Sequence, residues 1–484
     1  MSSTAQTLAS KRINSLLDEN SFVEIGGYVT ARNTDFNLSE KETPADGVVT
    51  GYGVIDGSLV YVYSQDASVL NGSIGEMHAK KIANLYDLAM KTGAPIIGLL
   101  DCAGLRLQEA TDALNAFGEI YTKQVMASGV IPQITGIFGT CGGGLAVVPA
   151  LTDFTFMEDT KGRLFVNSPN ALEGNEISKC DTSSAAYQSE HAGLVDVVGS
   201  EEEILGQMRT LISMLPSNFE DNSSYIECAD DLNRVCPELE NCVGDTSIAL
   251  SQIADNQEFF EVKAAYAKDM VTGFIRLNGA TVGCVANRSE VYNEEGEKTE
   301  TFENVLSARG CKKAAEFVKF CDAFEIPVLT LTNVKGFEAT VDSEKKIAKA
   351  AAKLTYAFAN ATVPKVNVII GEAYGSAYVA MNSKAVGADM TYAWPSASIG
   401  MMDAASAAKI MYADEIDKAE DVNAKISEKA AEYAQLQSSV ESAAARGYVD
   451  TIINPEETRQ YVAAAFEMLY TKREDRPVKK HGTV

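Results

Sequence analysis

Gly139-Thr140-Cys141-Gly142-Gly143-Gly144-Leu145 returns, 232 residues further on, as Gly371-Glu372-Ala373-Tyr374-Gly375-Ser376-Ala377. Each stretch follows a Pro-started apolar run, Pro132 to Phe138 and Pro364 to Ile370. The same offset of 232 carries Pro95 onto Pro327, Gly104 onto Gly336 and Lys80-Lys81 onto Lys312-Lys313. Glycine and proline hold backbone conformations that other residues avoid. One shift sustained over so many of them means one domain built twice.

Each half opens on a hairpin, turned by Asp56-Gly57 after Val54-Ile55 and by Asn278-Gly279 after Arg276-Leu277. Such dipeptides between apolar alternations are strong two-residue turn signals. A helix carrying the Lys-Lys pair follows, Gly75 to Lys91 and Ala308 to Phe324, then a buried strand, Pro95 to Leu100 and Pro327 to Thr332. Each strand ends in a polar residue and a glycine loop, Asp101 with Gly104 and Asn333 with Gly336. A second helix and the second Pro-started strand complete the plan. Strand and helix alternate, so the class is α/β with a mostly parallel sheet. The predicted domains are residues 1–240 and 241–484, with the acid- and Asn/Ser-rich stretch from Pro216 to Asp255 read as connector. The loop Asn293 to Lys298 reads as a solvated insertion, and the basic tail Lys472 to His481 as a flexible exposed end.

A chain of 484 residues suits about two domains. A net charge of −26 repels polyanions as a whole-molecule field, which argues against nucleic-acid and anionic-membrane surfaces. Anionic ligands must then be held by local cations or backbone N–H groups. The apolar run Ala94 to Leu100 is far too short to cross a bilayer, and the N-terminus lacks a signal-peptide pattern, so a cytoplasmic protein is expected. Nine cysteines without a C-x-x-C pair read as buried free thiols, and three histidines make a metal site unexpected.

A glycine cluster between a parallel strand and a helix lets backbone approach a ligand and leaves the helix's first N–H groups pointing outward. Two such groups aimed at one point stabilise a developing oxyanion. Close helix–strand packing explains one cluster equally well; its occurrence in both halves favours function. A nucleophile elbow of G-x-C-x-G form is disfavoured, because Cys141 has Ala373 as its repeat partner and few histidines could serve as base. Arg106 is the leading candidate donor for an anion, ahead of the lysine pairs, which read as solvated. Glu76, Glu109 and Glu119 could act as acid or base, and nothing singles one out.

Several longer stretches carry a more specific likeness: Asp46 to Gly53, Gly75 to Ala79, Ala127 to Ile134, Pro149 to Met157, Tyr392 to Pro395 and Lys472 to Gly482. In these the chain resembles the carboxyltransferase subunits of biotin-dependent acyl-CoA carboxylases and sodium-pumping acyl-CoA decarboxylases, of the propionyl-CoA carboxylase beta and methylmalonyl-CoA decarboxylase alpha kinds. The resemblance implies two tandem crotonase-like domains, the first holding acyl-CoA and the second carboxybiotin. It places the N–H groups of Gly143 and Gly144 at the acyl thioester oxygen and those of Ser376 and Ala377, beside Gly375, at the ureido oxygen of biotin. Ala103, Gly104 and Arg106 would bind substrate on the first side, and Val379 would line a pocket for a short acyl chain. It further implies biotin on a separate carrier protein, a biotin carboxylase or membrane decarboxylase subunit as partner, and a homo-oligomer, commonly a hexamer. Ala89-Met90-Lys91-Thr92 lacks the methionine expected after a biotinylated lysine, so the chain carries no biotin of its own.

The chain departs from the family at Cys102, Ala103, Leu105, Lys335, Glu338 to Thr340, Ser376 and in the loop Ser168 to Leu172. Two other readings therefore stay open: a crotonase-type enoyl-CoA hydratase or isomerase, and a non-catalytic assembly subunit.

Overall fold

The computed structural model describes residues 7–34, 36, 41–221, 225–293 and 295–477. The chain divides into two compact units, Met1–Ser224 and Tyr225–Val484. In the first, strands β1 (Val23–Ile25), β2 (Val48–Ile55), β3 (Ser58–Gln65), β4 (Ile96–Cys102), β5 (Gln133–Gly142), β6 (Phe154–Glu158), β7 (Arg163–Phe165) and β8 (Val197–Gly199) form one sheet. Its order is β1-β2-β3-β4-β5-β6-β8, with β7 beside the C-terminal end of β5.

The second unit contains β9 (Phe259–Val262), β10 (Met270–Leu277), β11 (Ala280–Asn287), β12 (Glu290–Tyr292), β13 (Lys298–Thr301), β14 (Val305–Leu306), β15 (Val328–Val334), β16 (Gly336–Phe337), β17 (Lys365–Tyr374), β18 (Met390–Ala393), β19 (Ser398–Gly400) and β20 (Thr451–Ile452). Its large sheet repeats the order of the first: β9-β10-β11-β15-β17-β18-β20, with β19 beside β17. In both sheets the first three strands are antiparallel, and pairing is parallel from the third strand onward. The duplication expected from the glycine and proline register is therefore a duplication of topology.

Local chemistry explains the repeat. Asp56 and Gly57 take φ of +48° and +80°, and Asn278 and Gly279 take +52° and +76°, the left-handed pair that a twisted two-residue hairpin needs. The helix Glu76–Thr92 buries Ile82, Leu85, Tyr86 and Ala89 on one face and stops at Gly93, in the left-handed conformation with φ +63°. Strands β4 and β15 are buried almost throughout because helices cover parallel sheets on both faces. Ile96, Leu100, Phe117, Ile120 and Ile137 share the first core, and Val271, Ile275, Leu329, Val368 and Trp394 the second. Each fully buried side chain of this kind contributes about 1.5–3 kcal/mol.

Four expectations need correction. Of the nine thiols expected to be buried, Cys180 is exposed and Cys228 and Cys242 are half-buried. The stretch read as connector is partly built structure: the helix Thr246–Ile253 buries Ala249, Leu250 and Ile253, and Cys236 N–H donates to Glu456 O at 2.9 Å. The lysine pairs are not wholly solvated. Lys81 Nζ donates to the carbonyls of Ala45 and Val48, and Lys313 Nζ to those of Lys263 and Tyr266. Burial lowers the two ammonium groups to about 8 and about 7 respectively. The beginning of the tail is anchored, since Lys472 bonds Asp389 at 2.8 Å and Val363 O at 3.0 Å. Residues 478–484 of the tail, and Glu294 in the insertion loop, lie outside the described residues.

Candidate active site

Strands β5 and β17 run on past Phe138 and Ile370 to Gly142 and Tyr374, and the chain then turns at once into helix. The turn residues are Gly143 and Gly375, with φ of +64° and +61°. A Cβ on Gly143 would meet nothing within 4 Å, so backbone conformation, not crowding, requires glycine there. At Gly375 it would stand 3.2 Å from Met401 O. Neither helix start receives a side-chain cap from the preceding residue, and its first N–H groups have no intrahelical carbonyl to bond. Gly144 and Ser376 are exposed, whereas Leu145 and Ala377 are buried.

The glycine–serine difference between the turns has a steric reason. A Cβ at Gly144 would lie 3.2 Å from both Phe117 and the Tyr121 hydroxyl, which itself donates to Gly144 O. In the second turn the equivalent Ser376 is exposed.

Beside each turn lies the loop that ends the neighbouring strand, and its backbone bonds are duplicated. Ala103 N–H donates to Asn71 O at 3.0 Å, as Lys335 N–H does to Asn304 O at 2.8 Å. Arg106 N–H donates to Ile74 O at 2.9 Å, as Glu338 N–H does to Leu306 O at 3.0 Å. Asp101 N–H meets Gln65 Oε1 at 3.2 Å, as Asn333 N–H meets Asn287 Oδ1 at 3.1 Å. Ala103 is exposed, and Gly104 (φ +105°) is half-buried with open space around it. Val379 is 38% exposed, on the helix Gly375–Ala380.

Arg106 stands apart from these. Its side chain has no exposure, and its guanidinium donates to Asp46 Oδ1 at 2.6 Å, Glu109 Oε1 at 2.7 Å and Ser73 O at 2.7 Å. The other oxygens of both carboxylates accept N–H groups from the first turn of the helix Glu76–Thr92: Glu109 from Glu76 at 2.6 Å, Asp46 from His78 at 2.8 Å. That helix begins after Gly75, where a Cβ would come within 2.2 Å of Glu109 Oε1. One buried cation thus holds two carboxylates that cap one helix, and none of its donors is offered to an outside anion.

His78 extends the network. Its Nδ1 lies 2.9 Å from Asp46 O and its Nε2 3.3 Å from Gln65 Nε2. A carbonyl can only accept, so Nδ1 carries the proton and Nε2 accepts from the Gln65 amide. Burial and then Arg106 drive the imidazole down to about 3, so it stays neutral. Burial raises the Cys102 thiol to about 12 and the Cys141 thiol well above its ordinary value, which leaves no thiolate for nucleophilic attack. Glu109 is committed to the cap, Glu76 pairs with Lys80 and Arg32 at 2.6 Å, and Glu119 is exposed on its helix.

Sequence reasoning therefore located both turns and both loops but missed Asp46, His78, Gln65 and Asn287, although Asp46 and His78 lie inside stretches that carry the family likeness. The paired polar ends of β3 and β11, Gln65 and Asn287, were the signal open to it.

The family model for the carboxyl transferase domain matches residues 2–484. Methylmalonyl-CoA decarboxylase subunit alpha of Propionigenium modestum is 40% identical, over 98% of this chain and 92% of its own length. The propionyl-CoA carboxylase beta chain of Roseobacter denitrificans is 40% identical over 98% and 93%. The crystal structure of transcarboxylase 12S, described as a hexamer with methylmalonyl-coenzyme A and methylmalonic acid bound, superposes with a TM-score of 0.91 at 38% identity, covering 98% of this chain and 91% of that one.

Proposed function

The chain belongs to the carboxyl transferase family of biotin-dependent acyl-CoA carboxylases and decarboxylases, and from that premise we propose that it moves a carboxyl group between protein-borne biotin and a short acyl-CoA. The observation that carries this reading is the pair of left-handed glycine turns at Gly143 and Gly375, each opening an uncapped helix start beside an exposed residue. Carboxyl transfer builds negative charge on two oxygens, that of the acyl thioester and that of the carboxyl donor's ureido group. Two backbone oxyanion sites suit that demand, where one would serve a hydratase.

On this reading the N–H groups of Gly143 and Gly144 stabilise the thioester enolate, and those of Ser376 and Ala377, next to Gly375, the ureido oxygen. Biotin, when bound, supplies the transferable carboxyl group and the nitrogen that exchanges it for a proton. The exposed Ala103 and the uncrowded Gly104 give acyl-CoA a surface to lie against, and Val379 offers an apolar wall suited to an acetyl or propionyl chain. Arg106 serves substrate binding from beneath, by holding the loop. The domain with the first turn would be the acyl-CoA side and the domain with the second the biotin side, in a cytoplasmic homo-oligomer, a hexamer as named for transcarboxylase 12S. A separate biotinyl carrier and a biotin carboxylase or membrane decarboxylase subunit would complete the system. Among the described residues no helix is long and apolar enough to cross a membrane.

The test is transfer of labelled carboxyl between methylmalonyl-CoA and biotinylated carrier. Label appearing on the carrier supports the reading. Turnover indifferent to biotin, or hydration of an enoyl-CoA without it, overturns it.

A further inference from the structure

Between the helix Gly375–Ala380 and the sheet, the second unit buries Thr330, Thr332, Asn367, Asn382 and Thr391 without exposure. Asn367 Oδ1 accepts from Thr330 Oγ1 at 2.9 Å and from Thr332 Oγ1 at 2.8 Å. Asn382 Nδ2 donates to the same Thr330 hydroxyl at 3.1 Å, so the two amide heads converge on one atom. Thr391 stands opposite Asn367 in the parallel register of β17 and β18, which puts the two side chains on the same face of the sheet.

Among the described residues, Asn367 Nδ2, Asn382 Oδ1 and Thr391 Oγ1 have no hydrogen-bond partner. Buried atoms of this kind give up their hydration and, if nothing meets them, gain no bond in return. Together they are one donor, one acceptor and one hydroxyl that can be either. Turning the Asn367 amide over only exchanges which of its atoms is left. The first unit is built differently at this point: Thr135, at the position of Asn367, bonds Thr152 at 3.0 Å.

We infer that these three groups hold one ordered water molecule, which accepts from Asn367, donates to Asn382 and shares a hydrogen bond with Thr391. Three bonds in a polar enclosure are the usual holding of a buried water. Asn382 has φ +51° and lies just past the end of the six-residue helix whose first turn carries Ser376 and Ala377. Thr332 Oγ1, whose proton goes to Asn367, also lies 3.4 Å from the neighbouring Met381 O. The water thus pins the far end of that short helix and positions its first turn. This second role rests on the functional reading above; the binding itself does not.

High-resolution diffraction of the full chain and of Thr391→Val, with kinetics of both, tests the inference. A spherical density within hydrogen-bond distance of all three atoms is expected, with its bonds reduced in Thr391→Val and restored in Thr391→Ser. A displaced turn should lower kcat for carboxyl transfer by about tenfold to a hundredfold while KM for acyl-CoA stays unchanged. A direct Asn367–Asn382 contact with no density between them, or a cation ringed by oxygens, overturns the water site. Water present with kcat unmoved in Thr391→Val overturns the positioning role. Wild-type protein without biotin-dependent transfer would defeat the functional reading and leave the density to decide the site.

Discussion

Replacing Arg106 by Met removes one cation from between two carboxylates, and the geometry around it sets the cost. Asp46 and Glu109 stand 2.6 and 2.7 Å from the guanidinium, and all three side chains have no exposure. Breaking a buried ion pair from one side costs about 3–5 kcal/mol, because the remaining charge is left unpaired. For a unit of roughly 150–250 residues that corresponds to a fall in melting temperature of about 6–20 °C. Both helix caps at Glu76 and His78 depend on the same carboxylates, so the loss lies in the first unit.

A triple variant, Arg106→Met with Asp46→Asn and Glu109→Gln, keeps amide oxygens to accept the two helix N–H groups and leaves no orphan charge. It should recover most of the lost stability. Circular dichroism follows the whole chain, whereas Trp394, the single tryptophan, is buried in the second unit and reports that unit. The first transition should shift in circular dichroism more than in tryptophan fluorescence. A fall below about 2 °C, less than about 1 kcal/mol, would refute the reasoning. So would a triple variant no more stable than the single one.

Three further outcomes are expected. His78 titrates near 6.5 when unfolded and at about 3 in the folded chain, so the unfolded state takes up the extra proton between those values and stability falls as pH drops through that window. His78→Gln should flatten this acid loss in urea titrations, and an unchanged pH slope would count against a buried neutral imidazole. Gly143→Ala forces a side chain into left-handed backbone at about 1–2 kcal/mol and swings the turn's N–H groups, so kcat for transfer should fall by about a hundredfold. Gly375→Ala adds the 3.2 Å contact with Met401 O and should do no less harm; wild-type rates in either variant would remove the turns from the mechanism. Finally, a thiol reagent on native protein should label exposed Cys180 first and leave Cys102, Cys141, Cys284, Cys311 and Cys321 until denaturant is added. Early labelling of Cys141 would reopen it as a nucleophile.

Legibility in the sequence followed the range of the interaction. Turns, strand starts and helix ends rest on dihedral preferences of single glycines and prolines, which act over a few residues. The hairpins at Asp56-Gly57 and Asn278-Gly279 and the two corners at Gly143 and Gly375 were therefore readable at once, and the constant offset of 232 from Pro95 and Pro327 through to the corners revealed the duplication. Helix and strand lengths were close, but β5 and β17 continued past their apolar runs because sheet partners, β7 and β19, extend the pairing.

Charged side chains escaped such reading, since the energy of a charge depends on what surrounds it in space. Arg106 looks like an anion receptor beside a glycine loop. Only folding brings Asp46, 60 residues earlier in the chain, against its guanidinium and turns it inward. Lys81 and Lys313 look solvated until carbonyls from loops before β2 and β10 close over them. The sequence by itself determined the doubled architecture, the two backbone turns and the family, because these are written in local conformation and residue pattern. Tertiary structure alone decided which polar groups stay open to solvent and which hold the scaffold, because desolvation and pairing exist only once distant segments have met.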